Sequence, residues 1–343
     1  MEKLCLFVIF LNLLDSTICR PQSTNVIDSK FVDAAFVQWK NEYNKLYASE
    51  NEENLRKKIW EQNLKYVNEQ NEKHQQGISS FEVHLNKFAD LDIAEFNDIY
   101  NKATLHERSH HQSNRMYVSK GSVPDSIDWR ERGYVTSVKN QKRCGSCWAF
   151  AAAGALEGQH KNRTGILVDI SVQNLVDCCV GDEGNYGCNG GSIMTAYDCV
   201  RREMGIDSDK NYPYRAKQSD QCHYDPNNNV QMDYGSEWIQ QGNENALKDA
   251  VATVGPISVA IDAGHYSFML YKTGILDEPN CSTTYVNHGV LVVGYGSEDG
   301  HDYWIVKNSY SKYWGDKGYL LMSRNKGNQC AIATDASFPI ISD

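Results

Sequence analysis

Apolar and polar positions in the first third of the chain alternate with the period of an α-helix. Two apolar faces result, one formed by Val32, Phe36, Trp39 and Tyr43 and the other by Trp60, Leu64 and Val67. No proline lies between residues 21 and 124, and only two of the 25 glycines precede residue 123. Because proline and glycine are the strongest helix breakers, this pattern predicts a mainly helical N-terminal part.

The pattern changes at about residue 123, beyond which glycine, cysteine and aromatic residues are frequent. Up to about residue 235, helical segments are mixed with cysteine-containing loops. Beyond that point, segments that combine β-branched and aromatic residues between turns predict strands. These segments are 257–261, 289–295, 303–307 and 319–322.

A short apolar run at residues 4–14 follows Lys3 and has the proportions of a secretory signal peptide. It is too short to cross a bilayer, and no later stretch approaches 18 uninterrupted apolar residues, so we expect cleavage after Cys19 and a soluble mature protein. Nine of the 11 cysteines then remain. An oxidising compartment favours disulfides, and an odd number leaves at least one thiol unpaired. Asn162 and Asn280 begin sequons that such a compartment could glycosylate.

The net charge of the chain is -10 at pH 7, and its isoelectric point is near 5.5. This acidity argues against nucleic acid or an anionic membrane as a partner. No internal repeat or low-complexity tract is visible.

The candidate nucleophile is Cys147, which lies where a loop runs into an apolar, alanine-rich segment predicted to be a buried helix. A helix N-terminus stabilises a thiolate, and with a cationic partner it lowers the pKa of a cysteine by roughly one to five units. Two other interpretations compete, a redox pair formed by Cys144 and Cys147 or half of a zinc site. Both are weakened because no second C-x-x-C follows, nor any pair of histidines separated by three to five residues.

Residues 144–148, Cys-Gly-Ser-Cys-Trp, match the signature of papain and the cathepsins, so the chain resembles the papain family of cysteine proteases. The N-terminal part resembles the propeptides of cathepsin L-like proteins. One helical stripe with the spacing of their E-R-F/W-N-I/V-N motif is formed by Glu52, Arg56, Trp60, Asn63, Val67 and Asn71. Asn86, Phe88 and Asp90 resemble the short motif that follows it. His84 stands where many relatives have a small residue.

The resemblance implies a papain-like fold of the α+β class, with a substrate cleft between a helical half and a β-barrel-like half. The implied divisions are a signal peptide at 1–19, an inhibitory propeptide at 20–122, and a peptidase domain at 123–343 whose halves are about 123–235 and 236–343. The end of the propeptide, from residue 106 to residue 120, has the uneven polar composition of an exposed linker that can be cut.

A histidine and an asparagine complete the catalytic group that the resemblance implies. His288 opens the segment His-Gly-Val-Leu-Val-Val-Gly-Tyr-Gly and lies 141 residues after Cys147. The carbonyl oxygen of Asn308 can accept from the imidazole without adding a competing negative charge. Gln141 precedes the nucleophile by six residues, as in papain relatives, and its amide is expected to bind the oxyanion together with the Cys147 backbone N–H. The expected resting state is a Cys147 thiolate with a His288 imidazolium.

The resemblance also implies substrate-binding residues and disulfides. The substrate-binding residues are Gly190, Gly191, Ser192, Ile193, Ala260, Val286, Asp335 and Trp314. The disulfides join Cys144 to Cys188, Cys178 to Cys222 and Cys281 to Cys330, while Cys179 and Cys199 either pair or stay as buried thiols. Asp335 stands where a small residue is usual, at the end of the pocket for the second side chain before the cut. We therefore expect this pocket to accept arginine beside leucine and valine.

Two departures from the family pattern lie close to the expected catalytic group. Lys142 occupies a position that is usually glycine, and Tyr310-Ser311 replaces the usual Trp-Gly after Asn308. In the family, this tryptophan shields the bond between asparagine and histidine from water. Tyrosine can cover the same face with a smaller ring and a polar tip, so we expect activity with a less protected pair.

These features predict a cysteine endopeptidase made as a zymogen, lysosomal or secreted, that uses no metal and no cofactor. The expected partners are protein and peptide substrates, the protein's own propeptide as an intramolecular inhibitor, and cystatin-type inhibitors, and the expected state is a monomer. One alternative is a catalytically weak or inactive papain-fold scaffold protein, which the joint presence of Gln141, Cys147, His288 and Asn308 disfavours. The other is a thiol-disulfide exchanger that uses Cys144 and Cys147.

Half of the ten histidines lie in the expected propeptide, namely His74, His84, His106, His110 and His111. Each gains charge as the pH falls through about 6.5, so acid is expected to loosen the docking of the propeptide. For His110 and His111, a position in a solvated linker explains their presence equally well. His84 is the histidine to test.

Overall fold

The computed structural model describes residues 29–105, 115–119, 121–181 and 184–341. The expected signal peptide lies outside these residues, as do His106, His110 and His111. The chain divides into two compact units, one that ends at Leu46 and one that covers Tyr47–Asp343. In the first unit, helix α1 (Ser29–Glu42) stacks the rings of Phe36 and Trp39, with 5.9 Å between their centroids.

The second unit begins with helix α2 (Glu50–Gln75). The asparagines of its motif stripe form hydrogen bonds with the segment that follows the helix. The Asn63 side-chain amide donates to the Ala89 carbonyl oxygen at 2.8 Å. Asn71 exchanges two hydrogen bonds with the backbone of Val83, at 2.9 and 3.0 Å. Both asparagines bond to backbone groups. They therefore hold the following segment in place whatever side chains that segment carries.

Strand β1 (Phe81–Val83) and helix α3 (Ile93–Tyr100) follow α2. Asp92 caps α3, because its carboxylate accepts from the Glu95 backbone N–H at 2.8 Å while the Glu95 carboxylate accepts from the Asp92 N–H at 3.3 Å. Arg56 of α2 donates to the same Glu95 carboxylate at 2.7 Å. These contacts fix the N-terminus of α3 and attach it to α2.

The remaining elements lie between residues 115 and 339. The helices are α4 (Cys147–Thr164), α5 (Val172–Cys178), α6 (Ile193–Arg202), α7 (Glu244–Thr253) and α8 (Tyr266–Met269). The strands are β2 (Arg115–Met116), β3 (Ile127–Asp128), β4 (Ile206–Asp207), β5 (Asn229–Gln231), β6 (Ser236–Trp238), β7 (Ile257–Ile261), β8 (Tyr271–Leu276), β9 (His288–Glu298), β10 (His301–Lys307), β11 (Tyr319–Ser323) and β12 (Asp335–Pro339).

Ten strands form one sheet, in the order β1-β8-β11-β10-β9-β7-β12-β6-β2, with β3 paired to β9. Neighbours in the sheet are antiparallel, except that β11 runs parallel to β8 and β2 runs parallel to β6. The four strands predicted from sequence correspond to β7, β9, β10 and β11. The α+β class is confirmed, and the longest strand, β9, lies near the middle of the sheet.

Helix α4 packs closely against the sheet because several of its residues are small. A Cβ added to Gly154 would lie 2.8 Å from a methyl carbon of Leu291 in β9. A Cβ on Gly158 would lie 2.9 Å from the ring of Pro256, just before β7. The close packing brings the first turn of α4 next to the first residues of β9.

Four disulfides link loops and helices of the second unit. They are Cys144–Cys188, Cys178–Cys222, Cys179–Cys199 and Cys281–Cys330. Cys179 and Cys199, whose pairing the sequence left open, are joined to each other. Among the residues that the structure describes, Cys147 is the one free cysteine. Cys144 is paired with Cys188 and not with Cys147, which argues against a redox pair formed by Cys144 and Cys147.

Candidate active site

Cys147 is the first residue of α4, and its side chain is buried. A Cβ at Gly289 would come within 2.9 Å of the Cys147 carbonyl oxygen, so β9 can approach this closely only because Gly289 has no side chain. The Gly289 backbone also lies close enough to the thiol to act against the rise in its pKa that burial causes. The start of β9, including His288, therefore lies next to the candidate nucleophile.

A buried hydrogen bond of 2.9 Å joins Nε2 of His288 to Oδ1 of Asn308. The Ser309 backbone N–H donates to the same Asn308 atom at 2.7 Å, and this identifies the atom as the amide oxygen, because the amide nitrogen cannot accept. The oxygen accepts from the imidazole, so Nε2 carries a proton. Nδ1 is then the nitrogen that can exchange a proton with reacting groups.

The side chain of Gln141 is held at both ends of its amide group. Its Nε2 donates to the carbonyl oxygens of Cys144 and Tyr100, each at 3.0 Å. Its Oε1 accepts from the Ser309 hydroxyl at 2.6 Å, and its backbone carbonyl oxygen accepts from the Tyr214 hydroxyl at 2.8 Å. One N–H of the amide is therefore directed at a peptide carbonyl of the N-terminal part of the chain.

The residues that follow α3 run alongside this site and pair with it through their backbone. The Ala103 N–H donates to the Asn287 carbonyl oxygen at 2.8 Å, and the Thr104 N–H donates to that of Gly191 at 2.9 Å. In return, the Gly191 N–H donates to the Lys102 carbonyl oxygen at 3.1 Å. An extended peptide binds a cleft in this way, through main-chain hydrogen bonds that do not depend on its side chains.

Burial changes the protonation of both candidate reacting groups. It raises the pKa of the Cys147 thiol, although backbone N–H groups, that of Gly289 foremost, oppose the shift. It lowers the pKa of His288 to about 4, although the hydrogen bond to Asn308 acts in the opposite direction. A neutral thiol and a neutral imidazole are therefore favoured while the cleft is covered. We expect the ion pair inferred from the sequence only in the open cleft.

Comparison with known proteins gives the family. Residues 123–340 match the papain family cysteine protease model, and residues 36–96 match the cathepsin propeptide inhibitor domain. The chain belongs to the papain family. It is 46% identical over 326 residues to cathepsin S of Bos taurus, with 94% of this chain and 97% of the relative covered. It is 44% identical over 313 residues to digestive cysteine proteinase 2 of Homarus americanus, with 90% and 96% covered.

A solved papain-family structure agrees with the fold. Digestive procathepsin L 3 of the Tenebrio molitor larval midgut superposes with a TM-score of 0.84 at 38% identity, and the match covers 90% of this chain and 99% of that one. The protein is thus a cysteine endopeptidase of the cathepsin L and S type, made as a zymogen with an intramolecular inhibitory propeptide. Within the described residues, no helix has the length and apolar character needed to cross a membrane.

Tyr310, which stands where papain relatives usually have tryptophan, is fully buried in the proenzyme. Its ring lies against the imidazole of His288, with 4.8 Å between centroids and 31° between planes. The rings of Phe88 and Phe96, from the propeptide, and of Trp314 surround it at 5.4 to 5.7 Å. The hydrogen bond between His288 and Asn308 is therefore well shielded from water while the propeptide is bound. The weaker shielding that the sequence predicts applies to the mature enzyme.

The residues expected to bind substrate are all buried in the proenzyme, namely Gly190, Gly191, Ser192, Ile193, Ala260, Val286, Trp314 and Asp335. A Cβ at Gly190 would lie 2.5 Å from the Lys102 carbonyl oxygen, so glycine lets the propeptide backbone approach. Asp335 is 2% exposed and lies opposite Ala260 across β12 and β7. Trp314 supports Tyr310 and donates through Nε1 to the Met269 carbonyl oxygen at 3.2 Å.

One group of potential metal ligands occurs in the described part of the chain, formed by Asp262, His265 and Cys281. Cys281 is bonded to Cys330, so its sulfur cannot act as a thiolate ligand. His265 Nε2 instead lies 3.0 Å from the Asp262 carboxylate. The group is therefore better described as an ion pair beside a disulfide.

The two sequon asparagines differ in their surroundings but not in their exposure. Asn162 lies in the last turn of α4, and Asn280 lies in a turn after β8. Both side chains are exposed, as a glycan acceptor requires.

The groups that orient the Gln141 side chain, and the Tyr100 carbonyl that accepts from its amide N–H, are not predicted by the sequence motifs. Ser309 follows Asn308 directly, so its place in the motif was a usable signal. Tyr214 and Tyr100 are 73 and 41 residues from Gln141, and no motif surrounds either of them. Only the fold brings these two tyrosines to the site.

Proposed function

We propose that Cys147 is the nucleophile, His288 the general acid and base, and Asn308 the group that orients the imidazole, while Gln141 donates to the oxyanion. The observation that supports this most strongly is the hydrogen bond of 3.0 Å from Gln141 Nε2 to a peptide carbonyl, that of Tyr100. The carbonyl ends α3, and the residues directly after it pair with the cleft as an extended chain. A substrate carbonyl bound at the same donor would be polarised next to the first turn of α4.

In the open cleft, the Cys147 thiolate attacks the carbonyl carbon of the scissile peptide bond. The oxygen takes the negative charge and accepts from the Gln141 amide and the Cys147 backbone N–H. The His288 imidazolium then transfers its Nδ1 proton to the leaving amine as the C–N bond breaks, and a thioester remains. Water gives a proton to Nδ1 and attacks the thioester, which releases the carboxylic acid and restores the ion pair.

The first prediction tests these assignments. Cys147→Ala and His288→Ala should each abolish hydrolysis of a fluorogenic peptide by protein matured with a trace of wild-type enzyme. Asn308→Ala should retain measurable turnover, because asparagine orients the pair without exchanging a proton, and Gln141→Ala should lower kcat by about 100-fold or more.

His265→Ala is the matched control, because it removes another histidine of the peptidase domain that contacts Asp262 rather than Cys147. Substantial turnover by either dyad variant would refute the assigned roles. A correctly matured wild type without activity would instead favour the inactive scaffold.

We also propose that Asp335 gives the pocket for the second residue before the cut an affinity for arginine. Ala260 lies opposite Asp335 on the neighbouring strand, and Val286 belongs to the same apolar cluster as Ala260. The methylene stem of an arginine can pack on such a wall while its guanidinium pairs with the carboxylate, a geometry suited to two parallel hydrogen bonds.

The second prediction concerns this preference. Asp335→Asn and Asp335→Ala should each lower kcat/KM for a peptide with arginine at this position by roughly tenfold or more, because about 1.4 kcal/mol of charge interaction corresponds to one decade. The matched leucine peptide should change little, and the arginine preference should weaken at a pH that protonates the carboxylate. Equal losses for both peptides would show that Asp335 is structural.

We further propose the boundaries inferred from the sequence, with propeptide cleavage near residues 115 to 123 and a mature domain at 123–343 whose halves meet at about residue 235. We propose a monomer that reaches the lysosome, the extracellular space or a digestive lumen through the secretory pathway, and two similar proteins named as digestive support the last of these. Cystatin-type inhibitors are proposed partners of the cleft. N-terminal sequencing of the mature enzyme and its mass in solution test the boundaries and the monomer.

A further inference from the structure

The propeptide forms hydrogen bonds with both the hydroxyl group and the backbone carbonyl group of Tyr310. The Tyr310 hydroxyl lies 2.5 Å from Oδ1 of Asn101, and the Tyr310 carbonyl oxygen accepts from the Lys87 ammonium at 2.8 Å. The same hydroxyl lies 3.3 Å from Nδ1 of His288. The tryptophan that is usual at this position has no hydroxyl, so the arrangement depends on a residue in which this chain departs from its family.

The direction of each hydrogen bond follows from the neighbouring atoms. Nδ2 of Asn101 donates to the Ala263 carbonyl oxygen at 3.2 Å, which leaves the Asn101 oxygen to face Tyr310. Tyr310 must therefore donate its single hydroxyl proton to Asn101. It has no second proton for His288, whose Nδ1 is an acceptor in the neutral ring because Nε2 carries the proton.

We propose that the Tyr310 hydroxyl is a positioning group of the mature dyad and that Asn101 of the propeptide withholds it. When the propeptide leaves, the O–H bond rotates and donates to Nδ1 of His288 whenever that ring is neutral. A hydrogen bond to the neutral form disfavours the charged form. Tyr310 thereby lowers the pH at which the imidazolium gives up its proton and sets the alkaline limit of activity.

Few ionisable groups face this contact within the described residues. Cys147 approaches Tyr310 from the first turn of α4, and Tyr100 and Lys87 approach it from the propeptide and leave with it. Phe268 and Trp314, which pack on the remaining sides of the ring, carry no charge. In the mature enzyme, the protonation of His288 is therefore governed by Cys147, by the bond to Asn308 and by the Tyr310 hydroxyl.

The third prediction compares the pH profile of kcat/KM for mature wild type and Tyr310→Phe. Phenylalanine keeps the ring against the imidazole and removes only the hydroxyl. We expect the alkaline limb, which reports loss of the imidazolium proton, to move to higher pH by about 0.5 to 1 unit, the size of one hydrogen bond. An unchanged limb would refute the proposal. A shift to lower pH would also refute it, because the hydroxyl would then be accepting from the imidazolium.

Tyr271→Phe is the matched control for this measurement. It removes a buried hydroxyl, bonded to the Gly274 carbonyl oxygen at 2.6 Å, from a ring that packs on Trp314 at 5.7 Å. Its profile should coincide with that of the wild type. An equal shift in Tyr271→Phe would assign the effect to loosened aromatic packing and so overturn the specific role of Tyr310.

The role of Asn101 is tested in the uncut proenzyme, with Cys147→Ala as background so that no self-cleavage occurs. Asn101→Ala and Tyr310→Phe should each lower the Tm of this protein, and the double variant should lose no more than the larger single loss, because both changes remove the same hydrogen bond. Additive losses would show that Asn101 does not hold the hydroxyl. This cycle remains decisive even when Tyr310→Phe yields no mature enzyme.

Discussion

At the scale of single residues, two departures from the family pattern have the same conformational consequence. Lys142 has a φ of 52° and Ser311 a φ of 71°, and both stand where relatives usually have glycine. A left-handed conformation costs a residue with a Cβ about 1–2 kcal/mol. The turns nevertheless keep their hydrogen bonds, because the Lys142 N–H donates to Asn140 Oδ1 at 3.0 Å and the Ser311 N–H donates to the Lys139 carbonyl oxygen at 2.9 Å.

The fourth prediction is that Lys142→Gly and Ser311→Gly each stabilise the proenzyme by about 0.5 to 1 kcal/mol. The relief of backbone strain exceeds the entropy that glycine adds to the unfolded chain. The free energy of unfolding is measured by denaturant titration in the Cys147→Ala background. Lys312→Gly, at an exposed neighbour outside the left-handed region, is the control and should destabilise. Destabilisation of all three variants would mean that the side chains matter more than φ.

At the scale of secondary-structure elements, the short strand β1 forms one of the contacts between the propeptide and the peptidase domain. It pairs antiparallel with β8, and His84 directly after it donates its backbone N–H to the Leu270 carbonyl oxygen at 2.8 Å. Nδ1 of His84 is buried without a hydrogen-bond partner. Burial, followed by the charge of Lys272, lowers the pKa of His84 to about 4.

The fifth prediction follows from the direction of this shift. His84 stays neutral in the docked propeptide down to about pH 4, but it gains a proton below about pH 6.5 once the propeptide is released. The free energy of docking is therefore unaffected by His84 above about pH 6.5 and becomes less favourable as the pH falls from about 6.5 toward 4. His84→Leu cannot titrate and should move the pH midpoint of activation down by several tenths of a unit. The midpoint is read from the rate at which activity appears between pH 4 and 7.

His74→Leu is the control for this experiment, since His74 lies in the same propeptide but is partly exposed and faces Glu82. An activation midpoint of His84→Leu equal to that of the wild type would remove His84 from the mechanism. A common shift in both variants would assign the effect to the net charge of the propeptide.

At the scale of the whole molecule, what could be predicted depends on how local each signal is. The central strands and α2 follow from periodicity within one segment, and the positions of Cys147 and His288 follow from short motifs. Strands β1 and β2 have three and two residues, too few for any periodic signal. The contact between Tyr100 and Gln141 and the bond between Cys179 and Cys199 depend on tertiary packing, which the residues around them do not encode.

Both end strands of the sheet, β1 and β2, come from the chain ahead of residue 123. Cleavage that removes them uncovers β8 at one edge and β6 at the other, and each then presents unpaired backbone N–H and C=O groups. Open edges of this kind are templates for the addition of further strands from other chains. Cleavage at the proposed boundary of residue 123 would therefore expose, together with the cleft, two sheet edges at which copies of the enzyme can associate, whereas the uncut chain keeps both edges covered.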